Sequence, residues 1–371
     1  MTAFTPLDPS LLSAAAQRAL GPGPGRTMAA RGMLPLAPAD QLVVLYQLAI
    51  DGDVALAGQA RLTASQLPEK LLAGTLADPT TDPSVLDYFG QLAVEKASVF
   101  EVVVLNPATA DPTIATLAAK AGAREIDLIA ENEQRLLRHP EIITAMYMNR
   151  RARMSTIDRI VELAVRNQVR VPGLAAWDEV ARALTGAAPS TPDADAMFDH
   201  AVEALSGDDS VLTAGDAEQV LPEDEHTAPL PSVADREIQL GKMTVPQKIR
   251  MATLGNAFAR NVLVRDPIRM VAIAAIKSPG VTEIEAARYA GNPGLSEDVI
   301  RYIATNRNWT KRYGVKVSLC RNPKAPIAET ARMLPFLREK DLQNLSKSRG
   351  VPSALTAQAR KLMMNRRAGN K

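Results

Sequence analysis

A short stretch of the chain carries enough carboxylates to suggest acid–base chemistry. Glu125, Asp127, Glu131 and Glu133 stand close together, and neighbouring carboxylates can act as general acid and general base when their pKa values differ. Arginines stand on both sides of Glu125 to Glu133, however, at 124 and 135. This mixed-charge pattern is typical of a solvated helix face, so we predict no catalytic role for it.

The side chains that bind metals or act as nucleophiles are few and scattered. The chain has one cysteine, Cys320, and three histidines, His139, His200 and His226, in unrelated surroundings. A zinc or iron–sulfur site needs several such ligands at short spacing. Cys320 follows an apolar run in which a small thiol packs well, and no hydrolase, metalloprotease or kinase motif accompanies it. The sequence therefore predicts no enzyme activity, no cofactor and no metal.

The glycine-rich stretch at residues 21–26 is the one segment that invites comparison with a phosphate-binding loop. Such loops bind phosphate through converging backbone N–H groups, and Pro22 and Pro24 each remove one of these donors. We expect residues 21–26 to form a flexible or polyproline-like hinge.

Basic and aromatic residues concentrate between residues 301 and 324. If residues 301–306 and 309–319 are helices, Trp309 and Tyr313 lie one turn apart, with Arg312 and Lys316 on an adjoining stripe. Such a surface suits an acidic protein or, as an alternative, a nucleic acid. In a third interpretation the aromatic residues pack between helices and the charges maintain solubility. The predicted partner-binding residues are Arg301, Arg307, Trp309, Lys311, Arg312, Tyr313, Lys316, Arg321 and Lys324.

Charge is distributed unevenly along the chain, although its net value is only +2. Residues 1–186 carry 17 basic and 20 acidic side chains, residues 187–235 carry 12 acidic and no basic ones, and residues 236–371 carry 26 basic and 9 acidic ones. The acidic, proline-containing middle is typical of a disordered linker. Within it, Met197, Phe198, Val202 and Leu205 can form the apolar stripe of a short helix, either docked or transient.

Prolines recur at nearly constant spacing in both halves. Pro83, Pro112 and Pro140 are 29 and 28 residues apart, and Pro172 follows after 32. Because proline suits the first helical turn, each is predicted to begin a helix. The second set comprises Pro279, Pro293, Pro323 and Pro352, of which the last three are 30 and 29 residues apart.

Apolar segments between the first set of prolines indicate a second helix in each unit, whereas strand signals are weak. The predicted fold is therefore all-α: a short helical-repeat α-solenoid in two halves joined by an acidic, largely disordered linker. The alternative is an irregular helical bundle. The predicted domains are residues 1–36 (helix and hinge), 37–186 (helical repeats), 187–240 (acidic linker) and 241–371 (basic helical repeats).

Units that open with Asn292-Pro293 or Asn322-Pro323 resemble the short repeats of the HEAT-like and leucine-rich-repeat-variant group. The stretch from Trp309 to Leu362 also resembles uncharacterised helical-repeat proteins of myxobacteria and related deltaproteobacteria and, more distantly, RomY-like polarity regulators. The latter resemblance implies a regulator that assists a roadblock-type activator of a Ras-like GTPase. This resemblance assigns no catalytic residue to the chain.

These patterns together predict a non-enzymatic scaffold or adaptor of a bacterial cytoplasm, with a basic C-terminal repeat surface that binds an acidic partner protein. That partner can be a GTPase or its activator, and the alternative function is nucleic-acid binding by the same basic half. No sequence segment is long and apolar enough to predict a membrane span. We also expect the acidic middle to fold back on the basic half and compete with its ligands.

Overall fold

The computed structural model describes residues 4–185, 191–205 and 240–369. Within these residues the regular secondary structure is helical and contains no strand, which confirms the predicted all-α class. The chain divides into two compact units, Met1–Gly173 and Leu174–Lys371. Residues 206–239 lie outside the described residues, and with them most of the predicted linker and its fold-back. The predicted domain limits therefore stay a prediction.

The N-terminal unit is made of short helices joined by tight turns. Its described α-helices are α1 (Ala14–Leu20), α2 (Pro24–Ala30), α3 (Pro38–Ala49), α4 (Val54–Ser65), α5 (Glu69–Leu76), α6 (Pro83–Leu92), α7 (Ala97–Leu105), α8 (Asp111–Ala118), α9 (Ala123–Ala130), α10 (Glu133–Arg138), α11 (Glu141–Met148) and α12 (Met154–Arg166). The glycine–proline stretch at residues 21–26 forms the turn between α1 and α2, with Gly23 at φ +121° and α2 already beginning at Pro24.

The first three periodic prolines lie at helix starts, as predicted. Pro83 is the first residue of α6, Pro112 lies in the first turn of α8, and Pro140 directly precedes α11. The prediction for Pro172 is wrong, because the next helix begins only at Trp177. Gly173, at φ +75°, turns the backbone there instead.

Helices of equivalent position lie side by side in this unit. Helix α8 packs between α6 and α11, and helix α7 packs between α5 and α9. Apolar side chains at the spacing of one helix face supply the contacts, among them Leu86, Ile114 and Ile142, all fully buried. None of these short helices can bury its apolar face alone.

The C-terminal unit repeats this construction. Its described α-helices are α13 (Trp177–Leu184), α14 (Pro192–Ala204), α15 (Val245–Leu254), α16 (Ala257–Leu263), α17 (Arg269–Lys277), α18 (Glu283–Ala290), α19 (Glu297–Thr305), α20 (Arg307–Thr310), α21 (Tyr313–Arg321), α22 (Ile327–Met333), α23 (Glu339–Lys347) and α24 (Ser353–Gly369). Helix α19 packs against α17 and α22, while α21 packs against α18 and α23.

Three prolines of the basic half do not begin helices, contrary to the prediction. Pro279, Pro293 and Pro323 lie in turns, and the next helices begin four residues later. Only Pro352 directly precedes a helix. In each of the three turns the residue before proline accepts a hydrogen bond from the N–H two positions after it, as Asn322 does from Lys324 at 2.9 Å.

Buried asparagine side chains that follow three of the helices donate hydrogen bonds to the end of an earlier helix; we call these bonds the asparagine ties. The side-chain amide of Asn106, after α7, donates to the carbonyls of Leu76 and Asp78 at the end of α5, at 2.7 and 3.0 Å. Equivalent bonds join Asn149 to Ala118 and Ala121, and Asn322 to Ala290 and Asn292. The last carbonyls of a helix have no partner within it, so these amides satisfy groups that burial would otherwise leave unpaired.

The apolar stripe predicted within the acidic middle lies on helix α14. Of the two predicted alternatives, a docked helix and a transient one, the structure has the docked helix. Phe198 of α14 is fully buried, with the Arg250 guanidinium 4.9 Å from its ring centroid. The side chain of Gln247 donates to the Ala194 carbonyl at 3.0 Å. Both partners belong to α15, so α14 is part of the C-terminal unit. None of the described helices combines the length and apolar composition that crossing a bilayer requires.

Candidate binding groove

The predicted site residues occupy the corner where three helices of the C-terminal unit meet. Asn306 lies between α19 and α20, and its side chain accepts hydrogen bonds from the N–H groups of Asn308 and Trp309, at 3.0 and 3.4 Å. Helix α20 is only one turn long because Arg312 adopts an extended conformation and precedes α21. The chain therefore turns twice within a few residues.

The expected single helix over residues 309–319 is wrong. Trp309 lies in α20 and Tyr313 begins α21, so the two aromatic residues do not share a helix face. Trp309 instead packs edge-on against Tyr302, with ring centroids 6.0 Å apart. The hydroxyl of Tyr313 donates to Asp341 at 2.5 Å and accepts the backbone N–H of Arg338 at 2.9 Å.

Several of the predicted basic residues already have acidic partners. Arg301 pairs with Glu297 at 2.5 Å, Arg312 with Glu283 at 2.5 Å, and Arg321 with Asp341 at 2.9 Å. Lys324 donates to the Leu295 carbonyl at 2.7 Å. Three of these four contacts join different helices or the turns beside them, while Arg301 and Glu297 pair within α19, and all of them reduce the positive charge that the same side chains can offer to a partner.

The remaining basic residues line one groove, with a volume of about 590 Å³. We call it the basic groove; it is lined by Ala304, Thr305, Arg307, Thr310, Lys311, Lys316, Glu329, Arg332, Met333 and Phe336. Arg332 pairs with Glu329 at 3.2 Å. Among the described residues no acidic side chain lies within ion-pair distance of Arg307, Lys311 or Lys316, so this groove carries uncompensated positive charge.

Phe336, which is absent from the predicted site, forms part of the groove wall. It is 65% exposed and ends the 3₁₀-helix Leu334–Phe336. The ammonium of Lys316 lies 4.9 Å from its ring centroid, a distance at which a cation is attracted to the ring face. The sequence gives no signal for this contact, because nothing in it tells that Phe336 is exposed while Leu334 and Leu337 are buried.

The side chains considered for chemistry lie apart from one another. Burial raises the pKa of Cys320 to about 12, so its thiol stays protonated at neutral pH. The acidic stretch is split between α9 and α10, and Asp127 binds Arg153 and Thr156. His139 lies 3.5 Å from Glu141 at the end of α10. Across the described part of the chain, no group of three metal-ligating side chains comes together.

A separate ion pair is buried in the C-terminal unit. Arg260 donates to both carboxylate oxygens of Glu285, at 3.1 and 3.2 Å, and to the Gly255 carbonyl. Burial by itself would raise the pKa of Glu285, but hydrogen bonds from Arg260 and Thr282 outweigh it and lower that pKa. Gly280 lies close beside it, and a Cβ there would lie 2.7 Å from the Arg260 guanidinium, so a larger residue would displace the arginine. This pair has a structural role.

Comparison of the chain with protein-family models, curated proteins and solved structures finds no match.

Proposed function

We propose that this chain is a non-enzymatic helical-repeat scaffold that binds an acidic partner protein through the basic groove. The observation that carries the proposal is the uncompensated charge of Arg307 and Lys311. Both side chains are exposed, both line the groove, and no acidic side chain among the described residues pairs with them. Charged residues that have no structural partner are available to a ligand, and they accelerate its association.

The side-by-side packing of equivalent helices supports the repeat part of the proposal. In each unit, a helix contacts the helices about 30 residues before and after it, and buried asparagine amides join three such pairs. We infer that each unit is a short α-solenoid, in which stacked repeats share one continuous core. Solenoids present extended surfaces, which suit binding of another chain.

Nucleic-acid binding is the second candidate, because α20 to α22 still expose several cations. A phosphate backbone needs a line of unpaired basic side chains, since each neutralised phosphate contributes separately to affinity. Arg301, Arg312 and Arg321, which flank the groove, are all paired with carboxylates. A short acidic protein segment fits the remaining cluster better than a nucleic-acid strand does.

Affinity capture tests the proposal directly. Tagged full-length protein is incubated with nuclease-treated extract of the cells that express it, beside the variants R307E/K311E and K347E/R349E. The second double variant is the matched control, because Lys347 and Arg349 are equally exposed but do not line the groove. We expect wild type and control to retain the same acidic protein and R307E/K311E to lose it.

Two outcomes of the capture would contradict the proposal. If R307E/K311E retains the partner at full strength, the partner does not bind in the basic groove. If nuclease removes all bound material, and binding to a twelve-nucleotide RNA falls by about one to two decades between 50 and 200 mM salt, as three or four phosphate contacts predict, the groove binds nucleic acid.

The more specific proposal, regulation of a small-GTPase module, rests on the resemblance to RomY-like proteins alone. Its test is GTP hydrolysis by a Ras-like GTPase with its roadblock-type activator, measured with and without the purified chain. We expect faster hydrolysis when all three are present. Unchanged hydrolysis would remove this version and leave the scaffold proposal standing.

A further inference from the structure

The backbone that presents the exposed ring of Phe336 is held in a fixed position. The guanidinium of Arg366, on α24, donates to the backbone carbonyls of Leu337 and Pro335, at 2.9 and 2.5 Å. Leu334 and Leu337 are buried on either side of the exposed ring. The 3₁₀-helix that presents Phe336 is therefore fixed both by apolar packing and by hydrogen bonds from another helix. A residue presented from a fixed backbone loses little backbone freedom when it binds a ligand.

The cations of the groove surround this apolar surface. Lys316 lies over the Phe336 ring, and its ammonium donates to the Lys311 carbonyl at 3.4 Å. Arg307, Lys311 and the buried Met333 also line the groove. The groove thus has an apolar patch, made of Phe336 and Met333, beside unpaired positive charges.

We propose that the basic groove recognises a short acidic protein segment that contains an apolar residue. The apolar residue packs on Phe336 and Met333, and the carboxylates that flank it pair with Arg307 and Lys311. This inference rests on the proposed function and adds the chemistry of the partner. Interfaces derive most of their affinity from a few buried apolar or aromatic anchors surrounded by polar contacts, which is the arrangement that this groove offers.

The position of Lys316 favours a protein segment over a stacked nucleobase. Proteins that bind single strands stack bases on the faces of exposed aromatic rings. The ammonium of Lys316 lies over the ring of Phe336, so stacking there would displace a favourable contact. An aliphatic or aromatic side chain can instead pack against the uncovered side and edge of the ring.

Binding of two synthetic peptides to the full-length protein tests the inference, with fluorescence anisotropy as the readout. One peptide is an acidic nonamer of alternating Asp and Glu with a central Phe, and the other has Gly in place of the Phe. We expect wild type to bind the Phe peptide about tenfold more tightly. The variant F336A should bind both peptides with similar affinity, whereas R307E/K311E should weaken both.

Substitution of another exposed apolar residue provides the matched control. Ile284 is 71% exposed on α18 and does not line the groove, so I284A should keep the tenfold preference. Thermal unfolding followed by circular dichroism verifies that each variant is folded. Because Phe336 contributes little to the core, F336A should unfold at nearly the wild-type temperature.

The results distinguish failure of the apolar anchor from failure of the acidic-partner proposal on which it rests. If both peptides bind wild type equally and R307E/K311E weakens both, the acidic partner stands and the apolar anchor is wrong. If F336A keeps the preference, the anchor is also wrong. If neither peptide binds at low salt, or a twelve-nucleotide uridine RNA binds more tightly than both, the acidic-partner proposal fails as well.

Discussion

Each of the two units contains an open groove lined by basic side chains, but the charges are used differently. The groove of the N-terminal unit, about 680 Å³ in volume, is lined by Arg135 and Arg138. Arg138 donates to Asp111 at 2.6 and 2.7 Å, and Arg135 lies 3.3 Å from it. The hydrogen bonds from Arg138 hold the pKa of Asp111 below its ordinary value. In the basic groove, Arg307 and Lys311 have no such partner among the described residues.

Grooves of similar size therefore differ in how far their basic side chains are paired within the fold. In the N-terminal groove the arginines stabilise the fold, since Arg135 also donates to the carbonyls of Val104 and Thr109. In the basic groove, by contrast, Arg307 and Lys311 have no acidic partner among the described residues. Charge alone therefore does not assign a basic residue of this protein to binding. The assignment depends on whether the residue already has an acidic partner within the fold.

The largest expected effect comes from the buried pair of Arg260 and Glu285. Substitution E285Q removes the buried carboxylate that accepts two hydrogen bonds from Arg260, and breaking a buried ion pair costs about 3–5 kcal/mol of unfolding free energy. The exposed pair Arg301–Glu297 provides the control, and E297Q should cost less than about 1 kcal/mol. Urea unfolding measures both. Equal effects would show that burial does not distinguish the structural pairs from the surface pairs.

The contribution of Glu285 to stability should depend on pH. Because the folded-state pKa of Glu285 is lowered from its ordinary value of 4.5, its stabilisation is fully present above that value. It is lost as the pH falls through the folded-state pKa. We expect the stability difference between wild type and E285Q to be constant near neutral pH and to shrink below pH 4.5. A difference that grows on acidification would contradict the assignment.

The second effect tests whether the asparagine ties are equivalent in the two units. N149A and N322A each remove a buried donor to two carbonyls, and we expect each to cost about 1–3 kcal/mol. The two costs should be similar, because each amide donates two bonds of 2.8 to 3.2 Å. Urea unfolding is again the measurement, with the exposed Asn344→Ala as control. If the urea unfolding midpoint of either variant is unchanged, the hydrogen bonds of that asparagine do not stabilise the fold.

The smallest expected effect on stability belongs to the basic groove. R307E/K311E should change the unfolding free energy by no more than about 0.5 kcal/mol, because neither side chain has a structural ion pair among the described residues. Thermal and urea unfolding measure it, beside the peptide binding described above. Strong destabilisation would assign these cations to the fold, as in the N-terminal groove, and the contrast between the two grooves would disappear.

The helical class and several helix starts were predictable because they depend on local patterns. Pro83, Pro112 and Pro140 follow the preference of proline for the first helical turn. The turns at Pro293 and Pro323 were not predictable in the same way, because Asn-Pro ends one helix as readily as it precedes another. At Pro323 the turn is accompanied by a tertiary hydrogen bond from Asn322 to a helix about 30 residues earlier, which the local sequence does not reveal.

The candidate site was predictable only in part for the same reason. The basic residues were visible in the sequence, but the partners of Arg312 and Arg321 stand 29 and 20 residues away, at Glu283 and Asp341. Only tertiary packing shows that these two are paired while Arg307 is not. Phe336 was missed because an apolar residue in a helical protein is more often buried than exposed.

The asparagine ties all run in one direction, from a later helix to an earlier one. Asn106, Asn149 and Asn322 each donate to carbonyls of a preceding repeat, and on α24 the guanidinium of Arg360 does the same to Ser346. Translation delivers the chain in this order, with N-terminal segments folding first. Each of these three amides therefore finds its carbonyl acceptors in a segment that has already been synthesised when the asparagine leaves the ribosome.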